Sequence, residues 1–180
     1  MENISSKTKN VVYCGVFVAL IAICSWISIP LTIPFTLQTF AICLTAALLG
    51  TKLGTITVLV YILLGLVGVP VFSGFKGGVA ALMGPTGGYI IGFIFTALIV
   101  GFITEKFGKK YVILAISMVL GVIVCYAFGT VWFVSVYTKT KEPVGIMTAL
   151  SWCVIPYLIP DAAKIAVAVI LTKRLERFVK

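Results

Sequence analysis

Charged positions in this chain are so sparse that they mark out long apolar windows. These run over residues 10–51, 53–75, 77–104, 111–138 and 143–160, the last continuing apolar to Thr172 apart from Asp161 and Lys164. Each window is near or above the roughly 18 residues that cross about 30 Å of hydrocarbon as a helix. The first is twice too long for one crossing. Pro30 and Pro34 divide it, because proline removes a donor and biases its predecessor away from helix. The pattern therefore predicts an all-α, polytopic membrane protein forming one integral membrane domain over residues 1–180. Its six transmembrane helices are placed at about 10–29, 35–51, 53–69, 86–104, 111–136 and 148–172. Helices are favoured over a barrel because no alternating ten-residue pattern appears and lipid tolerates no unpaired backbone.

Composition removes the soluble alternative: 61% of residues are hydrophobic, 11% are charged and the mean hydropathy is +1.21. The net charge of +9, with no histidine, is explained by topology. With both termini cytoplasmic, Lys7, Lys9, Lys52, Lys106, Lys109, Lys110, Lys173, Arg174, Arg177 and Lys180 fall inside. Only Lys76, Lys139 and Lys141 fall outside, as the positive-inside rule expects. No nucleic-acid partner is implied. Lys7 and Lys9 before an apolar stretch resemble a signal peptide, but the run is of span length and lacks a small-residue cleavage site, so it is expected to stay as the first helix. Cys14, Cys24, Cys43, Cys125 and Cys153 all lie in apolar stretches without C-x-x-C spacing, which predicts neither disulfides nor a metal site.

Three features carry candidate chemistry. Asp161 and Lys164 interrupt the last apolar run at i and i+3, so they share one helix face near its outer end. A charge at membrane depth costs on the order of 2.5–3.5 kcal/mol, so neither should face lipid. They either staple the bundle to itself or offer an acceptor and a donor to a polar ligand, and Pro156 and Pro160 can loosen the helix beside them. The connection from Gly68 to Tyr89 holds seven glycines and two prolines yet also Val69, Val71, Phe72, Phe75, Val79 and Leu82, which need burial. It is either a plain hairpin connector or a re-entrant lid over a cavity. The segment 29–39 has a polar cluster at Thr36, Gln38 and Thr39, where Gln38 serves a ligand or a helix contact. Trp26, Trp132 and Trp152 suit the interface belt, and Trp132 is also a candidate for lining a pocket.

Taken in order and at their separations, Pro34-Phe35-Thr36-Leu37-Gln38-Thr39-Phe40, Gly68-Val69-Pro70-Val71-Phe72, Gly84-Pro85-Thr86-Gly87-Gly88-Tyr89 and Asp161-x-x-Lys164 resemble the BioY family. Its members are the biotin-specific S components of energy-coupling factor (ECF) transporters. The resemblance spans almost the whole chain, and the Gly-Pro-Thr-Gly-Gly-Tyr block is its most specific part. It implies a six-helix protein of the prokaryotic plasma membrane that captures biotin from outside. Release inward would be driven by a module of two ATPases and a transmembrane coupling subunit. On that reading Asp161 and Lys164 meet the ureido ring, with Gln38 and Trp132 as further site residues. Lys76 and the Gly87 and Gly88 amides, at a helix start that favours anions, meet the valerate carboxylate. Thr86 and Tyr89 add hydroxyls, and loops 30–34 and 70–84 close over the ligand. Which pole of biotin meets which end stays open.

The chain carries no phosphate-binding loop, since Gly101 and Gly108 before Lys109-Lys110 have the wrong spacing. ATP is thus expected to be used by partner subunits, and no cofactor by this one. Gly15-x-x-x-Ala19 on the first helix stands where S components carry small residues for the coupling subunit, although tight packing inside the bundle explains it equally well. The competing readings are an S component for thiamine or riboflavin, or an intramembrane enzyme using Asp161. The enzyme reading lacks a second catalytic group.

Overall fold

The computed structural model describes residues 2–30, 33–140 and 144–179. Leu31 and Thr32 of the expected closing loop, and Lys141 and Lys180 of the charge count, lie outside the described residues. Helix α1 spans Glu2–Trp26; strands β1 (Ser28–Ile29) and β2 (Phe35–Thr36) pair antiparallel after it. Then come α2 (Gln38–Leu66), α3 (Val79–Met83), α4 (Gly87–Phe107) and α5 (Tyr111–Thr140). Helix α6 (Ile146–Cys153), a 3-10 turn (Ile155–Tyr157) and α7 (Leu158–Leu175) complete the order. Among the described residues, five helical stretches are long and apolar enough to cross a membrane: Ser6–Trp26, Gln38–Leu66, Gly87–Phe107, Tyr111–Lys139 and Ile146–Leu175.

The second of these is not straight. As a continuous rod its 29 residues would be about 43 Å long, with Gln38 and Tyr61 far apart. Instead Gln38 Nε2 donates to the Tyr61 hydroxyl at 2.6 Å, and a Cβ on Gly54 would stand 3.0 Å from the Ala46 Cα. The chain reverses at Gly50, whose φ of 78° is the left-handed conformation that glycine adopts without a Cβ penalty. Lys109 Nζ donates to the carbonyl of Leu48 at 3.2 Å, satisfying a backbone acceptor at the reversal, and burial pushes its ammonium pKa down. The sequence reading places two helices here, 35–51 and 53–69; the reversal falls at the glycine, and the second arm ends at Leu66 because Gly68 is also left-handed.

The expected last span, 148–172, is corrected in its interior. Val154 leaves helical geometry, Pro156 sits in the 3-10 turn, and α7 starts afresh at Leu158. Pro160 is tolerated in the first turn of α7, where its missing N–H has no intrahelical partner to lose.

Helix α4 lies between α2 and α5. Glycines permit that approach: a side chain on Gly129 would overlap the Tyr89 ring, and one on Gly101 would meet the Thr51 backbone. Tyr61, Ile42, Leu114, Met118 and Phe133 fill the interior, whereas Val11, Ile123, Val131, Met147 and Ile159 point outward. An outward apolar surface of this kind suits hydrocarbon, not water.

Candidate functional site

At the end of the bundle opposite Gly50, α2, α4, α5, the 3-10 turn, α7 and the connection between Gly68 and Tyr89 enclose a cavity of about 580 Å³. That volume falls among ligand sites. One wall is charged. Lys164 Nζ lies 2.6 Å from Asp161 Oδ1, and the two residues are 8% and 4% exposed. The i, i+3 spacing on α7 sets this contact, and three further hydrogen bonds, involving Thr39 and Tyr126, complete it. Thr39 Oγ1 donates to Asp161 Oδ1 at 3.2 Å, the Tyr126 hydroxyl donates to Oδ2, and Lys164 Nζ also reaches Thr39 Oγ1 at 3.3 Å. Beneath the ammonium, the Phe35 ring centroid is 3.9 Å away, a cation–π contact. A buried ion pair persists only when such extra bonds meet its unused lone pairs and protons. Asp161 Oδ2 accepts one bond here, so the carboxylate retains acceptor capacity toward the cavity.

The opposite wall is the 68–86 segment. Phe72 N–H donates to Lys76 O at 2.9 Å, closing a tight turn that carries Ser73 and Lys76 to the cavity. Trp132 Nε1 donates to Gly84 O at 3.0 Å, and Tyr157 in the 3-10 turn donates its hydroxyl to Ile33 O. Both loops flanking the cavity are therefore tied to the helices by aromatic donors.

Of the residues singled out from sequence, Asp161, Lys164, Gln38, Lys76, Thr86 and Tyr89 line this cavity. Tyr89 directs its hydroxyl to Thr130 Oγ1 at 3.0 Å, so it presents mainly ring to the space. Gly87, Gly88 and Trp132 are not among the lining residues. The Gly87 amide donates to Gly84 O at 3.0 Å, and a side chain on Gly88 would overlap Trp132; these residues form the seat on which the segment rests. Gly15 and Ala19 are far from the cavity in sequence and exposed on α1, and a Cβ on Gly15 would meet nothing within 4 Å. Packing inside the bundle thus does not account for that motif. Sequence reasoning missed Tyr126, Tyr157, Phe35 and Tyr61 as site-forming residues. Thr39 stood in the polar cluster of 36–39 and in the motif from Pro34 to Phe40, without a role assigned to it.

A multi-pass helical membrane protein whose enclosed cavity carries a hydrogen-bonded ion pair on one wall and a tethered loop on the other is built to hold a small polar ligand. The chain matches the BioY family over residues 1–180 and belongs to it. It is 41% identical over 170 residues to the "Biotin transporter BioY" of Thermotoga maritima, covering 94% of this chain and 96% of that one. It is 38% identical to the "Probable biotin transporter BioY" of Pyrococcus horikoshii, covering 94% and 98%. Among solved structures, the S-component for biotin from an ECF-type ABC transporter superposes with a TM-score of 0.86. That pair shares 30% identity, over 96% of this chain and 93% of that one.

Proposed function

We propose that this chain is a biotin-binding S component, which captures biotin from the outer face and releases it inward when coupled to an ATP-driven module. The observation that carries the reading is the cavity with its Asp161–Lys164 pair, in a member of a family whose relatives are named biotin transporters. Biotin's ureido ring presents two N–H donors and a carbonyl acceptor. The open acceptor capacity of Asp161 and the ammonium of Lys164 match them, and Gln38 adds one amide group beside them. The thioether face then rests on Tyr89, Phe93 and Tyr126, which line the same space. The exposed ammonium of Lys76, with Thr86, suits the valerate carboxylate. An intramembrane enzyme is not favoured, because the relatives are transporters by name.

Six crossings with both termini cytoplasmic are supported by the reversal at Gly50 and by the ten-to-three distribution of Lys and Arg. The exposed α1 face with Gly15 and Ala19 is where a transmembrane coupling subunit would approach closely, two ATPases acting behind it.

Isothermal titration of the detergent-purified chain with biotin, and with thiamine and riboflavin as controls, tests the substrate. Tight one-to-one binding of biotin alone is expected; a folded chain that binds a control instead would replace the substrate. Gly15→Leu should impair uptake by the assembled transporter while the isolated subunit still binds biotin. Unchanged uptake would remove α1 as the coupling face.

A further inference from the structure

Two consecutive carbonyls of the lid segment, at Pro70 and Val71, collect three side-chain donors from outside the loop. Trp26 Nε1 reaches Pro70 O at 2.8 Å, while Ser25 Oγ at 2.5 Å, its one proton shared with Ala22 O at 2.7 Å, and the Tyr61 hydroxyl at 3.0 Å both reach Val71 O. Tyr61 differs from the other two. Like Ser25 it is 0% exposed, and none of the three lines the cavity, but its hydroxyl also accepts the 2.6 Å bond from Gln38 Nε2, and Gln38 does line it. A phenol has one proton, so the chain of donors runs from Gln38 to Tyr61 to Val71. The Thr36 hydroxyl, donating to Gln38 Oε1 at 3.2 Å, holds the amide in the orientation this requires. The Tyr61 ring meets Phe72 edge-on with centroids 5.6 Å apart, and Phe72 lies against Gly65 one helical turn further along α2. A phenylalanine at 61 would keep that ring contact; the hydroxyl contributes only the link.

We propose that Tyr61 is a positioning residue that joins the ligand-facing amide of Gln38 to the lid segment 70–76, so that an occupied cavity holds the lid shut. This rests on the biotin reading of the cavity. Gln38 keeps one N–H and one acceptor lone pair beyond the bonds described, and a ligand engaging either fixes the amide. With the amide fixed, the Tyr61 proton stays on Val71 O. Lid departure would take the carbonyl acceptor from the buried Tyr61 proton, which is unfavourable, so ligand retention and lid closure reinforce each other.

The test compares Tyr61→Phe, Ser25→Ala and the unaltered chain, each full length in detergent, by amide hydrogen exchange over 69–77 and by biotin dissociation rate. Tyr61→Phe should speed lid exchange in the ligand-free protein and raise the biotin off-rate about fivefold, with the on-rate changed little. Saturating biotin should slow lid exchange in the unaltered chain and in Ser25→Ala, but much less in Tyr61→Phe. Loss of one carbonyl donor is common to both variants, so that last difference isolates the link to Gln38. An unchanged off-rate in Tyr61→Phe, or full ligand protection of its lid, overturns the proposal. Should Tyr61→Phe not fold, Gln38→Ala at saturating biotin takes its place, and retained lid protection there overturns it equally. If the unaltered chain binds no biotin, the substrate reading fails instead, and ligand-free exchange still decides whether Tyr61 anchors the lid.

Discussion

The two walls of the cavity are held by different kinds of bond. On α7, Asp161 and Lys164 form a buried ion pair whose further bonds go to side chains, Thr39 from α2 and Tyr126 from α5. On the 68–86 wall, the helices supply neutral side-chain donors, Ser25, Trp26, Tyr61 and Trp132, to backbone carbonyls of the loop, and the loop's Gly78 N–H donates in turn to Gly65 O of α2 at 2.6 Å. Charge-assisted bonds in a low-dielectric site are strong and costly to break singly, whereas each neutral bond has a net worth of about 0.5–1.5 kcal/mol. The charged wall is therefore suited to selecting a ligand in a fixed geometry, and the neutral wall to letting go of its carbonyls one after another.

Breaking the charged wall should have the largest effect. Asp161→Ala leaves Lys164 buried without its counter-charge, a loss of about 3 kcal/mol or more, and biotin affinity by titration should fall at least about a hundredfold. An unaltered affinity would remove the pair from the site. Next, Tyr126→Phe deletes one charge-assisted bond to Asp161 while keeping the ring against the cavity; a loss of about 1.5–3 kcal/mol, or tenfold and more in affinity, is expected. If instead that variant matched the parent, the carboxylate would be oriented by Thr39 and Lys164 alone. The smallest change is expected on the neutral wall, where Trp132→Phe removes the bond to Gly84 O at a cost of about 1 kcal/mol. It should show as a few-fold faster biotin release; an effect as large as that of Tyr126→Phe would erase the distinction between the walls.

Much of the architecture was legible in the sequence for one reason. Apolar runs of span length and charges that lipid excludes are one-dimensional signals, so the windows, the basic flanks and the pair at 161 and 164 could be read along the chain. The 68–89 connection announced itself by glycine and proline beside aromatics that had to be buried. Less visible were the roles within those segments. Gly87 and Gly88 read as open amides at a helix start, yet they are close-packing positions under Leu82 and Trp132. Tyr126 and Tyr61 sit in apolar helices, where a tyrosine reads as core, and nothing nearby in sequence marks the hydroxyl.

By itself, then, the sequence determined that this is a helical membrane protein with an isolated ion pair and a shaped loop, because hydrophobic length and the cost of intramembrane charge act locally. Only the tertiary structure decided what those groups hold. Tyr126 meets Asp161 across 35 positions, Ser25 meets Val71 across 46 and Thr39 meets Asp161 across 122. Such bonds depend on where the reversal at Gly50 and the packing of α4 between α2 and α5 bring polar tips together, which no local pattern encodes.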